Sequence, residues 1–391
     1  MSALHTCWLL KPAELTLKGG NRKTFETILK RNLLRMLETE LPDCEIKVKT
    51  TEGRYYVEAP DEKSSAVENV LSRLTGISGW AKTVICKKTV EDVLAACVEE
   101  GKRLSGAGNK TFKIDARRTD KSFPLGSYEL CCKAGEAVLE TPGGLKVDIH
   151  SPDDIIRIEI REKAYIYSGG KKGLGGLPAG SAGRGLLLLS GGIDSPVAGF
   201  LMACRGMNLD AIHFHSYPYT SNEAKQKAVR LAEITGSYCM GIRLYILNFT
   251  PVQMRIKEKA PQEWTTVLLR MAMMEAAEKT ALLIKSKCLI TGESLSQVAS
   301  QTIENLTCTQ SRIKLPVLRP LIGFSKERII KESRRIGAYD VSILPYEDCC
   351  MLFSPIHPIL HGDADEAGAL YETLELEPLI GDALRNYELV K

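Results

Sequence analysis

A glycine-rich turn near the middle of the chain has the residue types of a phosphate-binding site. Four consecutive leucines, 186–189, predict a strand buried on both faces, and the six residues Ser-Gly-Gly-Ile-Asp-Ser follow at 190–195. An apolar run from Pro196 then predicts a helix. Such a turn directs backbone N–H groups and the positive end of the helix at one guest, which favours a phosphate. The turn is shorter than a Walker-type loop and lacks its lysine.

The amino-acid composition narrows the class to which the protein can belong. With 391 residues, 44% of them hydrophobic and 26% charged, the chain is an ordinary globular sequence of two or three domains. No run approaches the ~18 apolar residues of a membrane span, and no signal-peptide core opens the chain, so we expect a cytoplasmic protein with no membrane partner. The 12 cysteines have no repeated short spacing and are expected to be reduced.

Charge is distributed unevenly along the chain. The net charge is +4 for residues 1–180, +6 for residues 181–360 and −6 for residues 361–391. Two basic parts and an acidic tail fit a nucleic-acid partner.

The first 60 residues have the pattern of a small α/β sandwich. A helix is expected from Asn21 to about Leu41, because its apolar residues share one face. The strands 45–49 and 54–57, separated by Glu52-Gly53, predict a hairpin. A strand, a helix and a hairpin in this order predict a ferredoxin-like domain.

Residues 61–168 alternate between helical and strand patterns. Charged residues line one side of the last predicted strand, and the basic side continues to Arg118 and Lys121. Such a face is either solvated or contacts nucleic acid. The expected elements are helices 64–74 and 89–104 and strands 80–87 and 110–117. The apolar side of the last strand comprises Phe112, Ile114 and Ala116, and the charged side Lys113, Asp115 and Arg117.

From residue 185 onward, strands and helices alternate as in a doubly wound parallel sheet. The glycine-rich residues 169–184 before it predict a linker, which either only connects domains or also touches RNA phosphates. Ligands of such sheets bind at the carboxyl ends of the strands. The expected strands are 186–189, 211–215, 238–244 and 288–291.

Two motifs and their order resemble a known family. Residues 112–124 resemble the central motif of a THUMP domain, an RNA-binding module of tRNA-modifying enzymes. Residues 190–195 resemble the PP-loop of ATP pyrophosphatases, which split ATP into AMP and pyrophosphate. Together they are similar to ThiI-type tRNA 4-thiouridine synthetases. Further similar stretches, within about residues 9–358, are 14–22, 175–178, 213–216, 291–302, 318–321 and 345–350.

The resemblance implies a multidomain α/β and α+β architecture. The expected domains are a ferredoxin-like domain at 1–60, a THUMP domain at 61–168, a linker at 169–184, and a PP-loop ATP pyrophosphatase domain with an acidic tail at 185–391. The implied activity is ATP-dependent replacement of the 4-oxygen of a tRNA uridine, at position 8, by sulfur. The implied cofactors are ATP and Mg²⁺, and family members are homodimers that bind tRNA.

The resemblance also assigns site residues. Asp194 would fix the loop or a Mg²⁺, since a carboxylate repels phosphate. The expected nucleotide contacts are Leu188, Leu189, Ser190, Gly191, Gly192, Ser195, His213, Phe214, Arg270, Gly292 and Gln301. The expected RNA contacts are Lys113, Arg117, Arg118 and Lys121.

Sulfur transfer requires a nucleophile, for which the family pattern indicates Cys349, carrying a persulfide. Cys350 is a poor disulfide partner, because adjacent Cα atoms lie ~3.8 Å apart whereas disulfides prefer ~4.4–6.8 Å. We therefore expect the resolving thiol to be Cys204, Cys308 or an external thiol.

Longer relatives carry sulfur on a rhodanese domain that also serves thiamine synthesis. This chain ends at Lys391 without one, so a cysteine desulfurase or free sulfide is the expected donor.

Two alternatives stay open at this point. One is another PP-loop tRNA-modifying enzyme, of the 2-thiouridine or lysidine type, although lysidine chemistry needs no thiol. The other is a non-catalytic protein that binds ATP and tRNA; the joint presence of Asp194, Ser195 and Cys349 argues against it.

Overall fold

The computed structural model describes residues 5–17, 19–51, 53–346, 355 and 357–391. The chain divides into two compact units, residues 1–26 with 33–176, and residues 27–32 with 177–391.

The first unit begins with four antiparallel strands and two helices, in the spatial strand order β2-β3-β1-β4. The predicted helix and hairpin are confirmed, and the hairpin turns at Gly53, whose φ of 73° is left-handed and favours glycine. The Tyr55 hydroxyl donates to the Glu26 carbonyl at 3.1 Å. The elements are β1 (His5–Pro12), α1 (Arg22–Glu40), β2 (Lys47–Thr51), β3 (Arg54–Pro60), α2 (Ser64–Arg73) and β4 (Ile77–Cys86).

The same sheet continues beyond β4, whose second half pairs with β8, in the order β4-β8-β7-β5-β6. Thr89 caps the predicted helix α3, since its side chain accepts a hydrogen bond from the Asp92 N–H. Phe112, Ile114 and Ala116 of β5 are buried as predicted. The elements are α3 (Val90–Gly106), β5 (Thr111–Arg118), α4 (Ser127–Leu139), β6 (Lys146–Val147), β7 (Asp154–Ile160), β8 (Ala164–Tyr167) and β9 (Lys171–Lys172).

The segment predicted as a linker makes regular backbone contacts. β9 pairs with β4, and the N–H of Gly175 donates to the Ile77 carbonyl at 2.8 Å. Farther along, the Leu177 N–H donates to the Cys204 carbonyl at 2.9 Å. One continuous sheet includes strands from both sides of residue 60, so the sheet does not mark a boundary there. The domain boundaries at 60 and 168 therefore stay predictions.

The second unit is built on a parallel sheet with the strand order β14-β13-β10-β11-β12, and an antiparallel strand β15 at the edge. The elements are β10 (Arg184–Leu188), α5 (Asp194–Cys204), β11 (Asn208–His215), α6 (Asn222–Gly236), β12 (Leu244–Asn248), α7 (Thr250–Lys259), α8 (Thr265–Leu283), β13 (Leu289–Ile290), α9 (Ile303–Gln310), β14 (Val317–Leu318), α10 (Lys326–Arg335), α11 (Tyr339–Ser342), α12 (Ala364–Thr373), α13 (Glu377–Arg385) and β15 (Glu388–Val390).

The strand predicted at 238–244 is wrong. Helix α6 ends at Gly236, and the chain then turns through Met240 and Gly241, both with left-handed φ, before β12 begins at Leu244. An apolar run between polar residues looks like a strand in the sequence, but these backbone angles exclude one.

The chain reverses its direction of winding at β10, which lies between β11 and β13. Leu186 packs in the core with α8, while Leu187 contacts the α5 side, so β10 is buried on both faces as predicted. The carboxyl ends of β10 and β13 therefore border the crevice where ligands of doubly wound sheets bind. Within the described ranges, no helix has both the length and the apolar character needed to span a membrane.

Candidate functional site

The turn after β10 is held by two serine hydroxyls. The backbone N–H of Ser190 donates to Ser195 Oγ at 2.9 Å, and the N–H of Gly192 donates to Ser190 Oγ at 3.2 Å. Helix α5 begins at Asp194, directly after the turn. The first N–H groups of a helix lack acceptors within the helix and attract anions. The turn therefore has the geometry of a phosphate cradle.

A cavity of about 270 Å³ opens beside this turn, at the switch point of the sheet. It contains most of the nucleotide contacts predicted from the sequence, whereas Gly191 and Gly192 do not belong to its lining. His213 is 4% exposed, and its Nδ1 lies 3.0 Å from the Leu189 carbonyl oxygen, so it is both a packed strand residue and part of the wall. The predicted residues in the lining are Leu188, Leu189, Ser190, Asp194, Ser195, His213, Phe214, Arg270, Gly292 and Gln301.

Gly292 lets the end of β13 approach the turn closely. A Cβ atom at this position would lie 2.7 Å from the Ser195 backbone nitrogen and 2.9 Å from the Asp194 carbonyl carbon. Both are backbone atoms, which cannot move away without displacing the start of α5. Only glycine fits here.

We expect Gly292→Ala to weaken ATP binding about 10-fold or more, because overpacking of this kind costs ~1–3 kcal/mol and would shift the loop. Calorimetric titration of ATP measures the effect. Gly323→Ala is the matched control, since a Cβ there meets no atom within 4 Å. Equal ATP affinity in the two variants would contradict the cavity as the nucleotide site.

Asp194 is tied to two residues that the sequence did not single out. Its Oδ1 pairs with the Lys326 ammonium at 2.6 Å, and its Oδ2 accepts from Gln297 Nε2 at 2.8 Å. Lys326 opens α10 and follows the stretch 318–321, which resembles the family, by five residues. The ion pair brings a lysine that is 132 residues away in the sequence to the turn. A phosphate bound there would therefore meet a positive charge, although the turn itself lacks the lysine of a Walker-type loop.

A buried charge cluster forms one side of the cavity. Glu293 is 3% exposed, contacts Arg270 through one carboxylate oxygen, and accepts from Arg319 Nε at 2.6 Å and Thr291 Oγ1 at 2.8 Å through the other. Burial alone would raise the pKa of Glu293, but the two guanidinium groups outweigh it and hold this pKa below its ordinary value. Glu293 thus fixes the orientation of Arg270 in the cavity wall.

Replacing Glu293 by glutamine is expected to lower the free energy of unfolding by about 3–5 kcal/mol, because two guanidinium groups lose their buried counter-charge. Chemical denaturation measures this, with the exposed Glu304→Gln as the control. Since the folded-state pKa is depressed, the contribution of the carboxylate is present above pH ~4.3 and is lost as the pH falls through the folded-state pKa. A difference between wild type and variant that grows on acidification would contradict the assignment.

The acidic residues within the described ranges do not form a magnesium site by themselves. Both oxygens of Asp194 are engaged by Lys326 and Gln297. Among the described residues, no cluster of three or more His, Cys, Asp and Glu side chains could hold a metal ion. Mg²⁺ commonly binds through one or two carboxylates and the phosphates of a substrate.

The predicted RNA contacts lie on β5 and the loop after it, in the first unit. Arg117 and Lys121 are exposed, while Lys113 and Arg118 are half-buried. Arg118 donates to the Phe123 carbonyl at 3.0 Å and so shapes the loop. Their contact with RNA stays a prediction.

The predicted sulfur carrier, Cys349, lies outside the described residues. Of the candidate resolving thiols, Cys308 is fully buried and burial raises its pKa. Burial also raises the pKa of Cys204, to about 12. A thiol attacks as its thiolate, so both are poorly suited in this conformation, and the external thiol is the favoured alternative.

Comparisons with known proteins agree with this organisation. The family described as thiamine biosynthesis protein (ThiI) matches residues 180–376, the ThiI ferredoxin-like domain matches residues 7–81, and the THUMP domain matches residues 87–168. A probable tRNA sulfurtransferase of Treponema pallidum (strain Nichols) is 46% identical over 383 residues, covering 97% of this chain and 94% of the relative. One of Caldanaerobacter subterraneus subsp. tengcongensis is 46% identical over 351 residues, covering 90% of each chain.

A solved structure extends the comparison to the fold. The crystal structure of a 4-thiouridine synthetase–RNA complex with bound ATP aligns with a TM-score of 0.90 at 32% identity, covering 99% of both chains. A doubly wound domain with a phosphate turn at its switch point, preceded in the sequence by ferredoxin-like and THUMP domains, puts the chain in the class of PP-loop tRNA-modifying enzymes. Within that class, the chain belongs to the ThiI family, and the fold class expected from the sequence is confirmed.

Proposed function

We propose that this chain is an ATP-dependent tRNA sulfurtransferase that converts a tRNA uridine, at position 8, to 4-thiouridine. The observation that carries the proposal is the cavity at the switch point. It combines the phosphate turn, Gly292, whose lack of a side chain allows close contact with the turn, and Arg270, which Glu293 orients in one wall. A binding protein needs only affinity for ATP, whereas a phosphate turn and an oriented arginine in one cavity support a role in stabilising the charge that develops when ATP is split.

The first step activates the uridine, whose 4-oxygen is otherwise a poor leaving group. The oxygen attacks the α-phosphorus of ATP, the bond to the β-phosphate breaks, and the proton on N3 of the base is released. The products are an adenylated base and pyrophosphate. In this proposal, the N–H groups at the start of α5 and the Lys326 ammonium, which pairs with Asp194, would hold the departing pyrophosphate.

The second step transfers sulfur. The terminal sulfur of a Cys349 persulfide attacks C4 of the base, and AMP leaves with the former base oxygen. The sulfur then bridges Cys349 and the base. A second thiolate attacks Cys349 Sγ, which forms a disulfide on the enzyme and frees 4-thiouridine. The full burial of Cys308 and the raised pKa of the half-buried Cys204 support an external thiol as the attacking group.

Several partners belong to the same proposal. A cysteine desulfurase would charge Cys349 with sulfur, and Mg²⁺ would enter as the ion that accompanies the phosphates of ATP. Lys113, Arg117, Arg118 and Lys121 would contact tRNA, and two copies of the chain would form a homodimer, as the family resemblance implies. The proposed reaction consumes ATP and modifies tRNA, which supports a cytoplasmic location.

A reconstituted assay tests the proposal. The protein is incubated with tRNA, ATP, Mg²⁺, cysteine and a cysteine desulfurase, and AMP and thiolated base are measured together. We expect one AMP and one 4-thiouridine per turnover, identified by absorbance and by mass of the nucleoside. Formation of 2-thiouridine would favour another PP-loop thiolase. ATP and tRNA binding without AMP would favour a non-catalytic protein.

A further inference from the structure

Activation of a uridine by ATP requires an acceptor for the proton on N3 of the base. The 4-oxygen of a neutral uridine is a carbonyl oxygen, so its attack on phosphorus makes the base cationic unless N3 loses this proton. A side chain that takes the proton as the new bond forms makes the oxygen a better nucleophile. Such a side chain must reach the base from the wall of the cavity.

The two carboxylates in the wall are already paired with cations. Asp194 bonds the Lys326 ammonium at 2.6 Å. Burial would raise the pKa of Glu293, but Arg270 and Arg319 outweigh it and hold this pKa below its ordinary value. Protonating either carboxylate would break an ion pair, so neither is suited to take a proton from N3.

Among the described residues of the lining, His213 is the other side chain of a type that can take up a proton near neutral pH. Its Nδ1 lies 3.0 Å from the carbonyl oxygen of Leu189, the residue directly before the phosphate turn. A carbonyl oxygen only accepts hydrogen bonds, so Nδ1 carries the proton and the neutral ring keeps its lone pair on Nε2. This contact fixes both the tautomer and the orientation of the ring, as the partner of a catalytic histidine must.

The strand that carries His213 is held against the start of the turn. β11 pairs in parallel with β10, and the Leu189 N–H donates to the Ile212 carbonyl at 2.9 Å. The ring of His215 is two residues farther along, with its centroid 6.4 Å from that of His213. It lies against Thr220 instead, with Nδ1 3.0 Å from Oγ1, and does not belong to the described lining.

We propose that His213 is the catalytic base of the activation step. Nε2 takes the proton from N3, and the electron pair of that bond forms a double bond between N3 and C4. The 4-oxygen then bonds to the α-phosphorus, and the bond to the β-phosphate breaks with its electron pair on pyrophosphate. The imidazolium keeps its hydrogen bond to the Leu189 carbonyl and returns the proton to N3 when 4-thiouridine is freed. The proposal rests on the proposed function, since it assumes that a uridine is adenylated in this cavity.

His213→Asn removes the base but keeps an N–H donor for the Leu189 carbonyl. In single turnovers, we expect its pyrophosphate burst to slow ~10²–10⁴-fold, the contribution typical of a general base. Its ATP dissociation constant should stay within about 3-fold of the wild-type value, because the lost interaction belongs to the transition state. His215→Asn is the matched control and should keep a burst near the wild-type rate. A burst as fast as that of the control, or a loss of ATP affinity that accounts for the whole effect, would overturn the proposal.

A tRNA with 5-fluorouridine at the reacting position distinguishes a proton acceptor from a structural role. Fluorine makes the N3 proton more acidic, so the reaction depends less on a base. The ratio of the wild-type burst rate to that of His213→Asn should therefore shrink at least ~10-fold with this tRNA. An unchanged ratio would overturn the proposal, because a structural defect slows both substrates equally.

The wild-type protein supplies a test that does not depend on the folding of a variant. With unmodified tRNA, its pyrophosphate burst should be about 2-fold slower in D₂O than in H₂O, since a proton moves in the transition state. Equal burst rates in the two solvents would overturn the proposal. Absence of AMP and pyrophosphate in the wild-type reaction would instead refute the proposed function, and this inference with it.

Discussion

We expect the replacement of Cys349 by serine to abolish 4-thiouridine formation, while AMP and pyrophosphate are still released. A serine hydroxyl cannot carry a persulfide, so the activated base would receive no sulfur, but the cavity proposed to bind ATP retains all its described lining. We expect the thiolation rate to fall at least ~10³-fold, the size of effect seen when a covalent nucleophile is removed. Adenylated tRNA, or AMP released by its hydrolysis, should appear at a rate near that of the wild type.

Cys350→Ser is the matched control for this variant, since it removes the neighbouring thiol. It should keep most of the thiolation activity. If Cys350→Ser abolishes sulfur transfer and Cys349→Ser retains it, the sulfur carrier has been assigned to the wrong residue. If both variants thiolate tRNA normally, no thiol in this segment carries sulfur, and the two-step chemistry proposed here is wrong.

Replacing Lys326 by methionine is expected to slow ATP cleavage about 10²–10³-fold. The ammonium group lies 2.6 Å from Asp194 at the phosphate turn, which we propose holds pyrophosphate as it acquires negative charge and leaves. Removing one preorganised charge or hydrogen-bond donor from a developing anion has effects of this size. The burst of pyrophosphate in a single turnover measures the step directly, and the ATP dissociation constant should change much less than the rate.

Lys331→Met, an exposed substitution on the same helix, controls for a general loss of charge on α10. If the Lys326 variant cleaves ATP as fast as this control, Lys326 has no role in cleavage and serves only as an ion-pair partner of Asp194. An equal loss in ATP affinity and in rate would indicate that Lys326 binds ATP without a special role in its cleavage.

The phosphate turn could be predicted because its signals are local. Leu186 and Leu187 define a strand buried on both faces, Ser190 and Ser195 flank the glycines, and a helix starts at Asp194, all within ten residues. The alternation on β5 is local in the same way, and Phe112 is buried as its spacing requires. The resemblance to a family then predicted that distant residues such as Arg270 and Gln301 contact the nucleotide, and both line the same cavity.

The contacts that organise the site across the chain could not be found in this way. Lys326 pairs with Asp194 over 132 residues, and Glu293 takes its partners from α8 and from the loop after β14. Nothing in the spacing of a lone lysine or glutamate indicates which charge it meets in the folded chain. The wrong strand at 238–244 was not foreseen either, because the residue type of Met240 does not indicate its left-handed φ of 70°.

The central claim is that the uridine 4-oxygen attacks the α-phosphorus of ATP in the cavity at the end of β10. It is tested most directly with tRNA carrying ¹⁸O at that oxygen, by mass spectrometry of the AMP formed in one turnover. The oxygen should move to the α-phosphate, so the AMP mass should increase by ~2 Da with each 4-thiouridine formed. Unlabelled AMP from a reaction that yields 4-thiouridine would contradict the account, because ATP would then be cleaved without activating the base.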